Sequence, residues 1–361
     1  MNFSGSYRAG DVHFLLKPLA LHDFVDVPEK EYLIQSGQRH YSEMLSPESL
    51  PSERYLTQFR QACTANLERM AGDCLALATL IGQRRSGAIT LVSLARAGTP
   101  VGVVLKHLIG VVLQRDVTHY SVSILRDRGI DQVALEYILA AGHAPESIVF
   151  VDGWTGKGVI SRELEAAIAE FNVRRGTCID GGLYVLSDLA GTAACAASCD
   201  DYLIPSSILN ATVSGLISRS ILNEAIGPGD FHGCVYYQQF ELHDQSQRFA
   251  DELVAQALAM APLPCALAPM DKEQAATVSR DYMRAALAQH GVKDINMIKP
   301  GIGEATRVLL RRTPRLLILR DAGAPEVVHL VLLAEEKNIL VQVDPGLPYH
   351  AVSLIRNAVD G

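Results

Sequence analysis

The residues best suited to chemistry lie in "SIVFVDGWTGKGVISREL", residues 147–164. An apolar, β-branched run ends on an acid, Asp152, followed by Gly153, Thr155, Gly156, Lys157 and Gly158 ahead of a helical pattern. A loop joining a buried strand to a helix N-terminus aims free backbone N–H groups and a partial positive charge at its mouth, and glycines let an anion come close. The stretch therefore reads as an anion cradle, against the competing reading of an ordinary strand–loop–helix corner. It is not a Walker A loop, because the first glycine of that motif falls on Val151 and Gly158 stands where a magnesium-binding Ser or Thr is required. The dinucleotide fingerprint GxGxxG fails too. A second stretch, "LVSLARAGTPVGVVLKHL" (91–108), repeats the grammar. Here Arg96, Ala97, Gly98 and Thr99 separate an apolar strand from a helix, so that a guanidinium and a tight turn face a second anionic group.

Three further clusters carry polar side chains. "RHYSEM" (39–44) offers His40, Tyr41 and Glu43 for acceptor recognition or acid/base work, or else a polar helix start capped by Ser42. "PSSILNATVSGLISRS" (205–220) places Asn210, Ser214 and Arg219 where they either line a cleft or serve as caps. Arg126, Asp127 and Arg128 form a loop that is a closing lid or simply solvated.

The elements that must position these groups alternate regularly. "AITLVSLA", "HYSVSIL", "SIVFVDG" and "GLYVLSDLAG" read as strands, separated by glycine-bearing loops and amphipathic helices. That order predicts a parallel α/β sheet with helices on both faces. Residues 52–83 read as one or two helices, and residues 1–50 as an irregular lobe. The proline-rich "APLPCALAPMD" breaks the pattern and sets a boundary between domains 1–265 and 266–361. The second domain reads as a three-layer α/β unit: helix 272–290, a short strand, helix 302–312, strand 315–321, helix 326–338, strand "ILVQVD" and a final helix "YHAVSLIRNAV". Asn338 ends the preceding helix as a cap.

With 361 residues, 48% of them hydrophobic, the chain can bury two cores. A net charge of -8 argues against a basic nucleic-acid binder as a whole, yet residues 266–361 carry +1 and the first 265 carry -9. Seven scattered cysteines without a CxxC pair fit a reducing compartment and give no side-chain metal cluster. With no signal-peptide pattern and no long apolar run, the expected location is cytoplasmic, with no membrane partner. Oligomeric state is not legible.

The loop at 152–158 resembles the phosphoribosyl-pyrophosphate loop of type I phosphoribosyltransferases, and the loop at 96–99 resembles the pyrophosphate loop of the same family. Gly153 replaces the family's second acid, and Gly158 its closing Thr or Ser. More widely, "SYRAGDVHFLLKPL", "IQSGQRHYSEML" and "PSSILNATVSGLISRS" join these loops in resembling the phosphoribosyltransferase-related domain of tellurite-resistance stress operons, also labelled cysteine protease StiP. The resemblance implies a type I phosphoribosyltransferase-like fold and a phosphoribosyltransferase-like enzyme binding phosphoribosyl pyrophosphate or a related nucleotide, with Mg2+. Asp152 would then bind ribose, Thr155 to Gly158 the 5-phosphate, and Arg96 to Thr99 the pyrophosphate. Two alternatives stand beside it: a non-catalytic nucleotide sensor controlling RNA binding, and a cysteine-dependent hydrolase. Glycosyl transfer needs no thiolate, and no Cys–His signature is visible, so nucleotide chemistry is preferred here to proteolysis. "MIKPGIGEATRVLLRR" (297–312) resembles the RNA-gripping turn of Pelota-like domains. Through Gly301, Glu304 and Arg307, with Gly303 in place of that turn's asparagine and Arg311 beyond, it implies a structured RNA partner.

Overall fold

Side chains of successive strand residues point to opposite faces, so a sheet covered on both sides needs apolar residues throughout. The central strands of this chain meet that requirement. In the computed structural model, which describes residues 3–20, 24–261 and 271–357, Leu91, Val149 and Tyr184 pack into one apolar cluster while Val92, Phe150 and Val185 pack into another on the opposite face. The boundary expected at 265/266, and Cys265 with it, lie outside the described residues.

The chain begins with β1 (His13–Leu15), β2 (Lys17–Pro18), α1 (Val27–Gln35) and α2 (Glu53–Arg84). There follow β3 (Ile89–Ala95), α3 (Gly98–Val112), β4 (Val117–Leu125), β5 (Gly129–Ile130), α4 (Gln132–Ala140), β6 (Ile148–Thr155) and α5 (Val159–Arg175). The first unit is completed by β7 (Leu183–Asp188), β8 (Cys195–Ser198), β9 (Gly233–Cys234) and α6 (Ser246–Met260). The main sheet has the order β1-β4-β3-β6-β7-β8, parallel throughout, with β5 antiparallel on β4. Helices α2, α3 and α6 cover one face, and α4 and α5 the other. A parallel sheet with helices on both faces is therefore what the fold shows, and residues 53–84 form one helix.

Beyond residue 271 come α7 (Lys272–Gln289), β10 (Ile298–Pro300), α8 (Ile302–Arg311), β11 (Pro314–Leu319), α9 (Val328–Glu336), β12 (Val341–Val343) and β13 (Ala351–Ile355). Their sheet runs β10-β13-β11-β12, with α8 and α9 on one face and α7 on the other. The α8 residues Ile302, Ala305, Val308 and Leu309 belong to the same apolar cluster as Ile208 and Leu209 of the first unit. The two units thus share a core. Asn338, just past α9, takes the left-handed conformation with φ 52.

Several expectations need correction. "YHAVSLIRNAV" is not a helix: Ala351–Ile355 is a strand, hydrogen-bonded on one side to β10 and on the other to β11. Because all five residues are buried, no polar alternation marks it as a strand, and the apolar spacing mimics a helix. The N-terminal lobe is not wholly irregular, since β1 joins the main sheet and α1 forms a helix capped by Asp26. Strand β6 continues through Trp154 and Thr155, so the glycine corner begins two residues later than the sequence pattern indicates. Among the described residues, no helix is long and apolar enough to cross a membrane.

Candidate functional site

The carboxyl ends of parallel strands are where open α/β sheets gather their polar groups. Here β6 delivers Asp152 and the corner Gly156–Lys157–Gly158 to the seam between the two units. Gly156 faces the second unit so closely that an added Cβ would lie 2.8 Å from Glu304 Cγ. Gly158 has φ 69, and a Cβ there would meet Thr192 Cγ2 at 2.5 Å, so only glycine fits. Thr155 is turned inward: its hydroxyl donates to Asp188 Oδ1 at 2.6 Å and accepts from the Ala190 N–H at 3.1 Å.

The second unit supplies the opposite wall. Arg307 lies over the Trp154 ring, 4.4 Å from its centroid, and is ion-paired to Glu304 at 2.8 Å. Gly303 makes this contact feasible, because a Cβ would sit 2.4 Å from the indole Cε2. Burial pushes the Glu304 carboxyl up, but Arg307 and Lys299 together hold it below its usual range. The Asp152 carboxyl is pushed up to about 6, chiefly by burial, with Arg307 opposing.

Between the walls lies a cavity of about 780 Å³. Lys30, Arg126, Lys157 and Arg219 line it from the first unit, and Lys293, Lys299, Arg307, Arg311, Arg312 and Arg315 from the second. Only Asp152, Asp294 and Glu304 oppose them among the lining side chains. Many of these cations rest on neutral acceptors. Lys30 donates to Ser46 Oγ at 2.7 Å, Lys157 to the Ile295 carbonyl, Arg219 to the Met44 carbonyl, and Arg311 to Asn210 Oδ1 at 2.6 Å. Burial pushes Lys30 and Lys157 down to about 7, with Arg219 adding to the effect at Lys30 and Lys299 at Lys157. Arg219 is pushed down to about 10, again mainly by burial.

The candidate residues divide into two groups. Asp152, Thr155, Gly156, Lys157, Gly158, Tyr41, Arg219, Glu304, Arg307 and Arg311 converge on the cavity. Two guanidiniums stand near the Tyr41 ring, Arg126 at 5.4 Å and Arg219 at 5.7 Å from its centroid, and the Tyr41 hydroxyl accepts from the Arg126 backbone N–H. The remaining candidates stand behind that wall. Arg96 is buried, its two terminal nitrogens ion-paired with Glu48 at 2.7 Å and donating to the Ile217 carbonyl and to Asn210 Oδ1, while its Nε has no hydrogen-bond partner among the described residues. Ala97, Gly98 and Thr99 enter α3, where a Cβ on Gly98 would meet the Val151 carbonyl oxygen at 2.5 Å and Thr99 shares a hydrogen bond with Ser121. His40 caps the turn at Tyr41–Glu43, and Glu43 pairs with Arg128 at 2.7 Å. Gly301 and Gly303 are packing positions, against Leu189 and Trp154, whereas a Cβ on Gly153 would meet, among the described residues, only the Ala97 carbonyl oxygen, at 3.9 Å.

Two contributions escaped the sequence. Lys30 and Glu31 sit in α1, within the stretch that reads as an irregular lobe, yet both are buried at the seam, where Glu31 is held by two Arg312 donors, one at 2.7 Å. Asp201 accepts from the backbone N–H groups of Ile302 at 2.9 Å and His350 at 2.8 Å, so a first-unit carboxylate caps a second-unit helix. No local pattern marks either one.

Burial pushes the Cys199 thiol up to about 11 and the Cys63 and Cys234 thiols up to about 12; it raises Cys74 and Cys195 as well, and Cys178 is exposed. Among the described residues none of these sulfurs shares a hydrogen bond with a histidine, and none lines the cavity.

Fold and site define a two-unit α/β protein with a cationic chamber at the seam. A protein-family model described as tellurite-like stress resistance cysteine protease StiP matches residues 5–254, and one described as PELOTA RNA binding domain matches residues 277–357. A curated relative, cysteine protease StiP of Acinetobacter baylyi (strain ATCC 33305 / BD413 / ADP1), is 43% identical, covering 99% of this chain and 96% of that protein. The chain belongs to the StiP family and carries a Pelota RNA-binding domain. These findings overturn the expected phosphoribosyltransferase activity, because the family and the relative alike are described as a cysteine protease. A glycine corner at a strand tip recurs on parallel sheets serving many chemistries, which is why the resemblance misled. The Mg2+ expectation rested on that activity alone.

Proposed function

We propose that the seam chamber is an RNA-binding site, and that the chain acts through it in the stress resistance for which its family is described. The observation that carries this is the reversal of charge: ten cations face three acids in a chain of net charge -8. The Pelota match over 277–357 supplies the ligand class. Cations resting on carbonyls and amides gain charge-assisted partners when phosphates enter. The test is fluorescence anisotropy of a labelled RNA titrated with the full chain at 50 and 200 mM salt. Affinity is expected to fall at least tenfold between the two, and Arg315→Glu, at an exposed lining cation, should weaken binding at least tenfold. No RNA binding at 50 mM salt would refute the proposal.

A second reading, cysteine-dependent proteolysis, is favoured by the near full-length relative of that name. It requires a thiolate beside a histidine. The described thiols whose acidity is shifted are all raised by burial, so the candidates for the nucleophile are exposed Cys178, Cys265, or a buried cysteine freed by rearrangement. Seven single Cys→Ser variants, assayed for cleavage of an unfolded protein and for labelling by an alkylating probe, decide it. One variant should lose both signals. Full cleavage by all seven would exclude a cysteine nucleophile.

A further inference from the structure

Building on the RNA-binding reading, we propose that the RNA taken up at the seam is single-stranded and that duplexes, kinked or straight, are excluded. The cationic side of the second unit is only in part an open surface. Lys293, Lys299, Arg307, Arg311, Arg312 and Arg315 all line the chamber and face the first unit across it. The walls are tied together at several points: Arg307 on Trp154, Arg312 on Glu31, Arg311 on Asn210, and Asp201 on the start of α8. Phosphates that reach Lys299, Arg307, Arg311 and Arg312, all partly buried, must enter the chamber, and exposed Lys293 and Arg315 stand at its edge.

Size and chemistry then select the ligand. About 780 Å³ is the volume of a site for a drug-sized molecule, which suits a few nucleotides and not a turn of double helix. Proteins that hold single strands combine a cationic groove with flat groups on which splayed bases stack. Both are present. Arg307 on Trp154, and Arg126 and Arg219 beside Tyr41, put guanidinium and aromatic planes among the lining cations. In paired RNA the base faces are already stacked within the helix and cannot use these planes.

A smaller cavity of about 250 Å³ adjoins the chamber, and Lys30, Arg219 and Arg311 belong to the walls of both.

The test compares two labelled RNAs on the wild-type full chain by anisotropy at 100 mM salt: a six-nucleotide single strand and a kinked duplex. The single strand is expected to bind at least tenfold more tightly, and Arg219→Ala and Arg307→Ala each to weaken it about tenfold. Equal or tighter binding of the duplex overturns the proposal and leaves the RNA-binding reading intact. Failure of both RNAs to bind removes that reading and the proposal with it. Competition by poly-glutamate as effective as that by the unlabelled hexamer would mark an acidic-peptide groove and also overturn it. The comparison of the two RNAs requires no variant to fold.

Discussion

Removing the Asp201 carboxylate tests the seam directly. Each of its oxygens accepts one backbone N–H of the second unit, from Ile302 at 2.9 Å and His350 at 2.8 Å. Asp201→Ala leaves both donors without an acceptor at a buried helix start. At about 1–3 kcal/mol for each orphaned donor, the expected loss is about 2–6 kcal/mol. Asp201→Asn is expected to cost roughly half as much, because its amide group turns a donor toward one of the two N–H groups. Burial pushes this carboxyl up to about 6, above its ordinary unfolded value near 3.9. The stability it contributes is therefore fully present below about pH 4 and lost as pH rises through 6, so the gap between wild type and Asp201→Ala should be wider at pH 5 than at pH 7. Urea unfolding at both pH values, followed by circular dichroism, measures the gap. A loss below about 1 kcal/mol at both would show that Asp201 does not couple the units.

Other outcomes are equally specific. Lys30 and Lys157, both near 7, should carry their charge at pH 6 and lose most of it by pH 8; RNA affinity should fall over that range, with the salt slope shrinking by up to about 1.4 in anisotropy titrations. Gly303→Ala should destabilise by about 1–3 kcal/mol through its clash with the indole, and Trp154→Ala should relieve much of that cost in a double-mutant cycle of urea unfolding. Glu31→Ala should cost about 3–5 kcal/mol by stranding Arg312, and should speed proteolysis of α1 in a timed digest. Gly158→Ala, facing both a positive φ and Thr192, should lower the melting temperature measured by calorimetry.

The main sheet was legible because its strands are apolar on both faces and regularly separated by helices. Ala351–Ile355 was not, because a central strand buried along its whole length offers no alternation. At the site, Asp152, Lys157 and Arg307 could be picked out by type and neighbourhood. Glu31 and Asp201 could not, since each acquires its role only from a partner more than 100 residues away in sequence, and Lys30 could not, since no local pattern marks its burial at the seam. The charge count of residues 266–361 gave a net value near zero and hid the direction of the cations, six of which point the same way. Arg96 illustrates the opposite error. Its residue type and its loop suit an anion, but Glu48, Asn210 and Ile217 already hold its two terminal nitrogens.

The chain contains a single tryptophan, and it is Trp154. Intrinsic emission from the unlabelled protein therefore comes from one fluorophore, seated where the two halves meet and pressed by a guanidinium. Any guest stacking nearby, or any parting of the halves, must change the colour or brightness of that light. The molecule carries its own gauge of occupancy, readable in a cuvette without a dye.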